Sequence, residues 1–322
     1  MIIFPLPKIY LDTNHLINIS RVNIGASLGS AEKYREDYIY INKCIQEAKC
    51  AIVFNLSSPL EWVEGNATEQ TARQIASIFD KAECIYQAAA DTIIYAVETL
   101  KECKRIEPSI SFPEILELQY LERGSYYTSA EAIIQQHVPS YSFGTIKKPN
   151  FPKNVPVMSI KDHAIEALRW SKKNPDICEE RIKGYNETLQ KDFSLAGDNF
   201  KGLSKREIIG WLKRFIQIDK ILEEVASPRT NIDDLLNKID ISKCPAINLN
   251  IRIRENLIRN KCKPEDNDCD DFIYLPIIPY ADISLIEKDM SDRILQVDQS
   301  MKTKLFRKPS DAANAIRKFF KQ

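Results

Sequence analysis

The chain has only nine glycines in 322 residues, which argues against propeller repeats, glycine-rich phosphate loops and flexible linkers. Net charge is missing as well: 45 basic and 45 acidic residues cancel, so no global field draws a polyanion and any nucleic-acid contact must rest on a local patch. Three histidines (His15, His137, His163) are too few for a His-rich metal site or a His-centred general base. Eight cysteines occur without one CxxC pair, which removes the close spacing of zinc sites and thioredoxin-like motifs. Scattered thiols in a chain of this length read as small buried hydrophobes in a reducing compartment. No apolar run approaches the 18 or so residues of a membrane span. The opening MIIFPLPKIYLD has no charged leader region, so the expected location is cytoplasmic.

Strand-like signals stand near both ends of the chain. KIYLD at 8–12 and AIVFNL at 51–56 are short apolar runs with polar punctuation, and ADISLI at 281–286 and TKLFR at 303–307 repeat the signal. Ser58, Pro59 and Glu61 open a helix as cap, first residue and capping-box acid. Apolar residues from Ile75 to Leu100 follow helical spacing and predict one helix stripe over 71–100. The middle, including 113–122, 129–137, 161–173, 176–193 and 204–226, reads as helical, with a proline-rich loop at 138–158. A last helix is expected from Ser310 as N-cap. These signals predict an α/β fold: a parallel sheet flanked by helices, built from 1–70 and 245–322 and carrying a large central all-helical insertion over 71–244.

Acids occupy the edges of these apolar runs: Asp12 in IYLDTN, Glu61 in NLSSPLEW, Asp268 and Asp271 in NDCDD, and Glu287 in ISLIEKD. A parallel sheet gathers such positions, because its ligand crevice lies outside the carboxyl ends of its strands. Clustered carboxylates repel one another unless a hard cation joins them, and oxygen ligands suit Mg²⁺ or Mn²⁺. The chemistry expected of the set is metal-assisted hydrolysis of a phosphodiester. Each acid also has an ordinary structural role open to it. Asp12 is placed to cap a helix, Glu61 fits a capping box, and Asp268, Asp270 and Asp271 suit the first turn of a helix.

The run IYLDTNHLI resembles the opening strand and turn of the PIN-domain nucleases, and LSSPLE resembles their serine-then-glutamate segment. NDCDDFIYLPIIPYADISLIEKDM at 267–290 resembles the C-terminal half of the toxin-like members: an ND-x-x-D helix start, a Leu-Pro-to-Tyr segment, an apolar strand and an acid–base pair. The match covers about 1–66 and 245–322. It departs from the family pattern where Glu287 replaces the usual aspartate and Ile286 the usual threonine or serine, and Asp289 is the alternative acid two residues on. The resemblance implies a metal-dependent endoribonuclease acting on single-stranded RNA, with a toxin or defence role and a cognate inhibitor or defence-system protein as partner. On it, Asp12, Glu61, Asp268 and Glu287 hold metal, Asp271 stands at the rim, and Asp282 braces the site.

Asn14, Arg252, Arg254 and Arg259 are expected to touch substrate, the arginines because a phosphate backbone entering an acidic site needs positive charge nearby. A second basic set, Lys201, Lys205, Arg206, Lys213 and Arg214, reads as a solvated helix face. Two other readings compete. One is a PIN-like module without catalysis that serves as a binding or scaffolding protein. The other is a phosphatase with Asp12 as nucleophile, in the manner of haloacid dehalogenases; against it, Asn14 stands where that chemistry requires an acid.

Overall fold

The computed structural model describes residues 6–55, 69–88, 91–112, 118–122, 200–260, 272 and 274–320, with isolated positions between 165 and 187. Six strands form one sheet: β1 (Lys8–Leu11), β2 (Ala51–Asn55), β3 (Cys84–Ala88), β4 (Leu118–Glu122), β5 (Ile283–Leu285) and β6 (Leu305–Phe306). Their spatial order is β4-β3-β2-β1-β5-β6. Every neighbouring pair is parallel except β3–β4, so five parallel strands carry one antiparallel edge.

From β1 the chain steps outward to β2 and β3 and later returns on the other side of β1 as β5 and β6. The connections therefore diverge between β1 and β5, the topological switch point at which α/β sheets open a crevice. Ile9 pairs with Ile283 and Leu11 with Leu285 across this seam. The Asp12 amide donates to the Leu285 carbonyl at 3.0 Å, which carries the ladder one bond past the strand end.

Helices cover both faces, which is why the strands are apolar on both sides. Ile9 and Leu11 of β1, with Ile52 and Phe54 of β2, point into one layer. That layer contains α1 (Thr13–Asn23), α2 (Arg35–Gln46), α3 (Glu69–Lys81) and, at the end of the chain, α10 (Pro309–Phe319). Tyr10 and Val53 point into the other. It holds α4 (Asp91–Ile106), α5 (Lys205–Trp211), a π-helical turn (Leu212–Ile216), α6 (Ile218–Val225), α7 (Ile232–Lys238), α8 (Pro245–Arg259) and α9 (Lys288–Val297). No helix among the described residues is long and apolar enough to cross a membrane.

Several expectations are corrected. Residues 71–100 are not one helix, because β3 interrupts them between α3 and α4. The segment 113–122 ends in β4 rather than a helix. Strands β3 and β4 thus fall inside the stretch expected to be an all-helical insertion, and the sheet is not assembled from the two ends alone. The helix expected over 204–226 breaks at Gln217, which holds a left-handed φ of 55° after the π turn. The last helix begins at Pro309, with Lys308 rather than Ser310 in the cap position. The expected elements at 129–137 and 138–158, and the helix opening at Ser58, lie outside the described residues.

Candidate active site

Asp12 and Glu287 stand just past the carboxyl ends of β1 and β5, the two strands at the switch point. Each occupies the N-cap position of the helix that follows, α1 and α9, with extended backbone (ψ 153° and 156°), yet neither side chain caps its helix. The carboxylates are used elsewhere. The Glu287 amide donates to Asp12 Oδ2 at 3.3 Å, and Asn14 Nδ2 donates to Glu287 Oε1. Two helix N-termini therefore meet beside two acids, and their partial positive charge favours anionic groups there.

Burial is the largest influence on Asp12 and raises its pKa to about 6; the nearby Glu287 carboxylate adds to the rise, while the amides of Glu287 and Thr13 oppose it. Asp12 thus gives up its proton reluctantly, and a cation at this place would relieve the strain of ionising it. Asp12, Glu287 and the Asn14 side-chain oxygen offer hard donors of the kind Mg²⁺ and Mn²⁺ prefer, so the residues fit such an ion. Among the described residues no group of three or more His, Cys, Asp or Glu converges.

The other expected site residues fall as follows. Glu61, Asp268 and Asp271 lie outside the described residues. Asp289 is exposed in the first turn of α9. Asp282 sits at the opposite end of β5 from Glu287, where it accepts from the Lys8 amide at 2.8 Å and pairs with Lys8 Nζ at 3.7 Å. It braces the start of the β1–β5 seam and not the carboxylate pair. His15, one turn into α1, shares a 2.8 Å hydrogen bond with the Tyr38 hydroxyl, and burial lowers its pKa to about 4.

The three arginines expected to receive substrate phosphates do not share a surface. Arg252 pairs with Asp298 at 3.7 Å, just beyond the C-terminal end of α9. Arg259 pairs with Glu255 at 3.6 Å and donates to the Lys201 carbonyl at 3.2 Å. Arg254 is only 5% exposed, and its guanidinium lies 5.4 Å over the Trp211 ring. Two residues apart on a helix, Arg252 and Arg254 point nearly opposite ways.

One organising residue escaped the sequence reading. Glu98 of α4, 3% exposed, accepts from the amides of Ala246 (2.7 Å) and Ile247 (3.0 Å) and from the Tyr280 hydroxyl. It caps α8, whose own cap residue Cys244 makes no such bond. In sequence Glu98 resembles any polar member of an amphipathic helix. The local hint is only that its neighbours Val97 and Thr99 are themselves buried-face residues.

No protein-family model, curated protein or solved structure matches the chain.

Proposed function

We propose that the protein is a PIN-like, metal-dependent endoribonuclease that hydrolyses phosphodiester bonds of single-stranded RNA with the help of Mg²⁺ or Mn²⁺. The observation that carries this reading is the pairing of Asp12 with Glu287 at the carboxyl ends of β1 and β5, where the sheet connections part. Two acids there, one resisting ionisation, form the nucleus of an oxygen-rich cation site. Glu61, Asp268 and Asp271 complete the set in this proposal.

The division of labour follows from the contacts. Asp12 and Glu287 would hold the ion, and Asn14 keeps Glu287 turned toward Asp12. The N-terminus of α9, which its cap side chain leaves uncapped, would offer backbone amides to phosphate oxygens. A bound divalent ion supplies Lewis acidity toward water and charge neutralisation at the phosphodiester. The toxin or defence role, and a cognate inhibitor as partner, rest on the resemblance to the PIN family alone.

The test is incubation of the full chain with end-labelled single-stranded RNA and DNA, with and without Mn²⁺. Internal, Mn²⁺-dependent cuts in RNA that disappear in Asp12→Asn support the proposal. Cleavage that survives in Asp12→Asn, or an absence of cleavage together with no Mn²⁺-dependent thermal shift, overturns it. The second outcome would favour the scaffold reading.

A further inference from the structure

The chain is neutral as a whole, but its charge is unevenly placed. From Lys302 to Lys321 it carries seven basic residues and a single acid, Asp311. Within that stretch, Phe319 and Phe320 at the end of α10 are 48% and 47% exposed, among the few large apolar side chains that the described surface leaves in water. The apolar stripe of α10 does not include them. Ala312, Ala313 and Ile316 face the core, and neither phenylalanine is part of it.

The cations around these rings are not cancelled. Arg317 lies 4.2 Å over the Tyr40 ring of α2, and its Nη1 donates to Asn314 Oδ1 at 2.8 Å. Both partners are neutral, so the guanidinium charge stays uncompensated. Lys318 is exposed beside it. At the end of α2, Lys43 and Lys49 share Glu47, at 3.6 and 2.9 Å. The charges of Arg317 and Lys49 both reach Tyr40, which places the two helix ends in one neighbourhood. Cations therefore outnumber acids on this surface, beside two exposed rings.

The patch also has a defined place on the sheet. Lys49 stands two residues before β2, so the patch lies at the end where the parallel strands begin. Asp12 and Glu287 follow the ends of β1 and β5, at the opposite end. A large partner can rest on the patch without covering the carboxylate pair.

We propose that this patch docks the protein reversibly on an anionic lipid bilayer, with Phe319 and Phe320 entering the boundary between headgroups and acyl chains and Arg317, Lys318, Lys43 and Lys49 meeting the headgroup charges. Exposed apolar area rimmed by polar groups marks an interaction surface, and the positive surplus selects an anionic one. A single-stranded nucleic acid is anionic too, but it engages aromatic side chains by stacking successive bases on ring faces. Here the two rings meet edge to face, at 62° with centroids 6.4 Å apart, so they do not form a stacking platform. Ring angle is immaterial to insertion, which needs apolar area with cations at its margin. Only the tip of α10 is offered, because its apolar stripe is already buried in the core. This docking goes beyond the proposed cleavage chemistry and does not depend on it.

The experiment is co-sedimentation of the full chain with phosphatidylcholine vesicles, with and without phosphatidylserine. Binding only to the vesicles that contain phosphatidylserine, diminished by salt, supports the docking surface. Phe319→Ser/Phe320→Ser should weaken it about tenfold, and Arg317→Gln/Lys318→Gln about fivefold for each cation lost. Both rings are exposed, so the first variant should keep the circular dichroism of the wild type. Lys318→Glu takes the place of the arginine variant if that one unfolds, since Arg317 also packs on Tyr40. Asp12→Asn should bind as the wild type does, which separates failure here from failure of the nuclease reading. Equal binding to both kinds of vesicle, no binding to either, or wild-type binding in the ring and charge variants overturns the proposal. It is equally overturned if vesicles are not bound while a single-stranded oligodeoxynucleotide is, with that binding lost in the same variants; the patch then belongs to a strand.

Discussion

Asp12 and His15 lie one helical turn apart and titrate abnormally in opposite senses. The Asp12 carboxyl, raised to about 6 chiefly by burial, keeps its proton in the folded chain where an unfolded carboxyl has lost it. Between roughly pH 4 and pH 6 the folded state therefore binds the extra proton, and metal-free stability falls as pH rises through that window. Asp12→Asn removes this penalty. The variant should gain about 2 kcal/mol over metal-free wild type above pH 6, after allowance for solvent screening, and little at pH 4. Urea midpoints across pH would read this, and a variant less stable than wild type at pH 7 contradicts it. His15 works the other way. With its pKa lowered to about 4 by burial, it refuses the proton that the unfolded ring takes up below about pH 6.5, so stability is lost as pH falls from there toward 4. Asn18 donates to the Tyr38 oxygen at 3.1 Å, and that oxygen also lies 2.8 Å from His15 Nδ1, which ties the ring into a buried polar contact. His15→Gln should flatten about 2 kcal/mol of this acid-side loss, and an unchanged slope in difference curves against wild type would exclude the assignment.

Among the elements, α8 depends most on a residue far away in sequence. The amides of its second and third residues are satisfied by Glu98, 148 and 149 residues earlier, on α4 of the same helix layer. Glu98→Ala leaves two buried donors and the Tyr280 hydroxyl without that acceptor and should cost about 3 kcal/mol, with an unchanged denaturant slope. Glu98→Gln, which keeps one acceptor oxygen, should cost less. Equal losses in both would point to packing rather than hydrogen bonding. Such long-range ties explain what a reader of the sequence misses. Strands β1, β2 and β5 are legible because each is a continuous apolar run closed by a polar residue, as Leu11–Asp12 and Ile286–Glu287 show. Strand β3 is not, because Ile78, Phe79, Ala82, Ile85 and Tyr86 keep helical spacing across the two-residue break at Ala82–Glu83. The π turn is equally silent, since no glycine or proline marks Gln217. Asp12 and Glu287 could be singled out by their place at run ends. The burial of Arg254 could not, because it depends on Trp211 arriving from another helix.

At the scale of the whole molecule, the sheet divides the interior into two cores, and thiols are buried in both. Cys44 and Cys50 lie in the layer of α1, α2, α3 and α10, while Cys103 and Cys244 lie in the other. Burial raises the thiol pKa at all four, to about 12 for Cys103, so little thiolate is present in the folded state. Alkylation at neutral pH should be slow at these positions and should share one dependence on urea if the two cores open together. Mass spectrometry of pulse-labelled protein would resolve them. Labelling of Cys103 and Cys244 ahead of Cys44 and Cys50 would show instead that the helical layer of α4 to α9 opens as a separate unit.

The seam between β1 and β5 joins residues 274 positions apart, Ile9 with Ile283. During synthesis, β1 leaves the ribosome long before its partner exists, and β2 alone can pair with it. Its other edge then stays open, a place where a nascent chain can associate wrongly. The same delay separates Asp12 from Glu287. Any chemistry that needs both carboxylates is therefore closed to a nascent fragment that has not yet reached Glu287, 275 residues after Asp12.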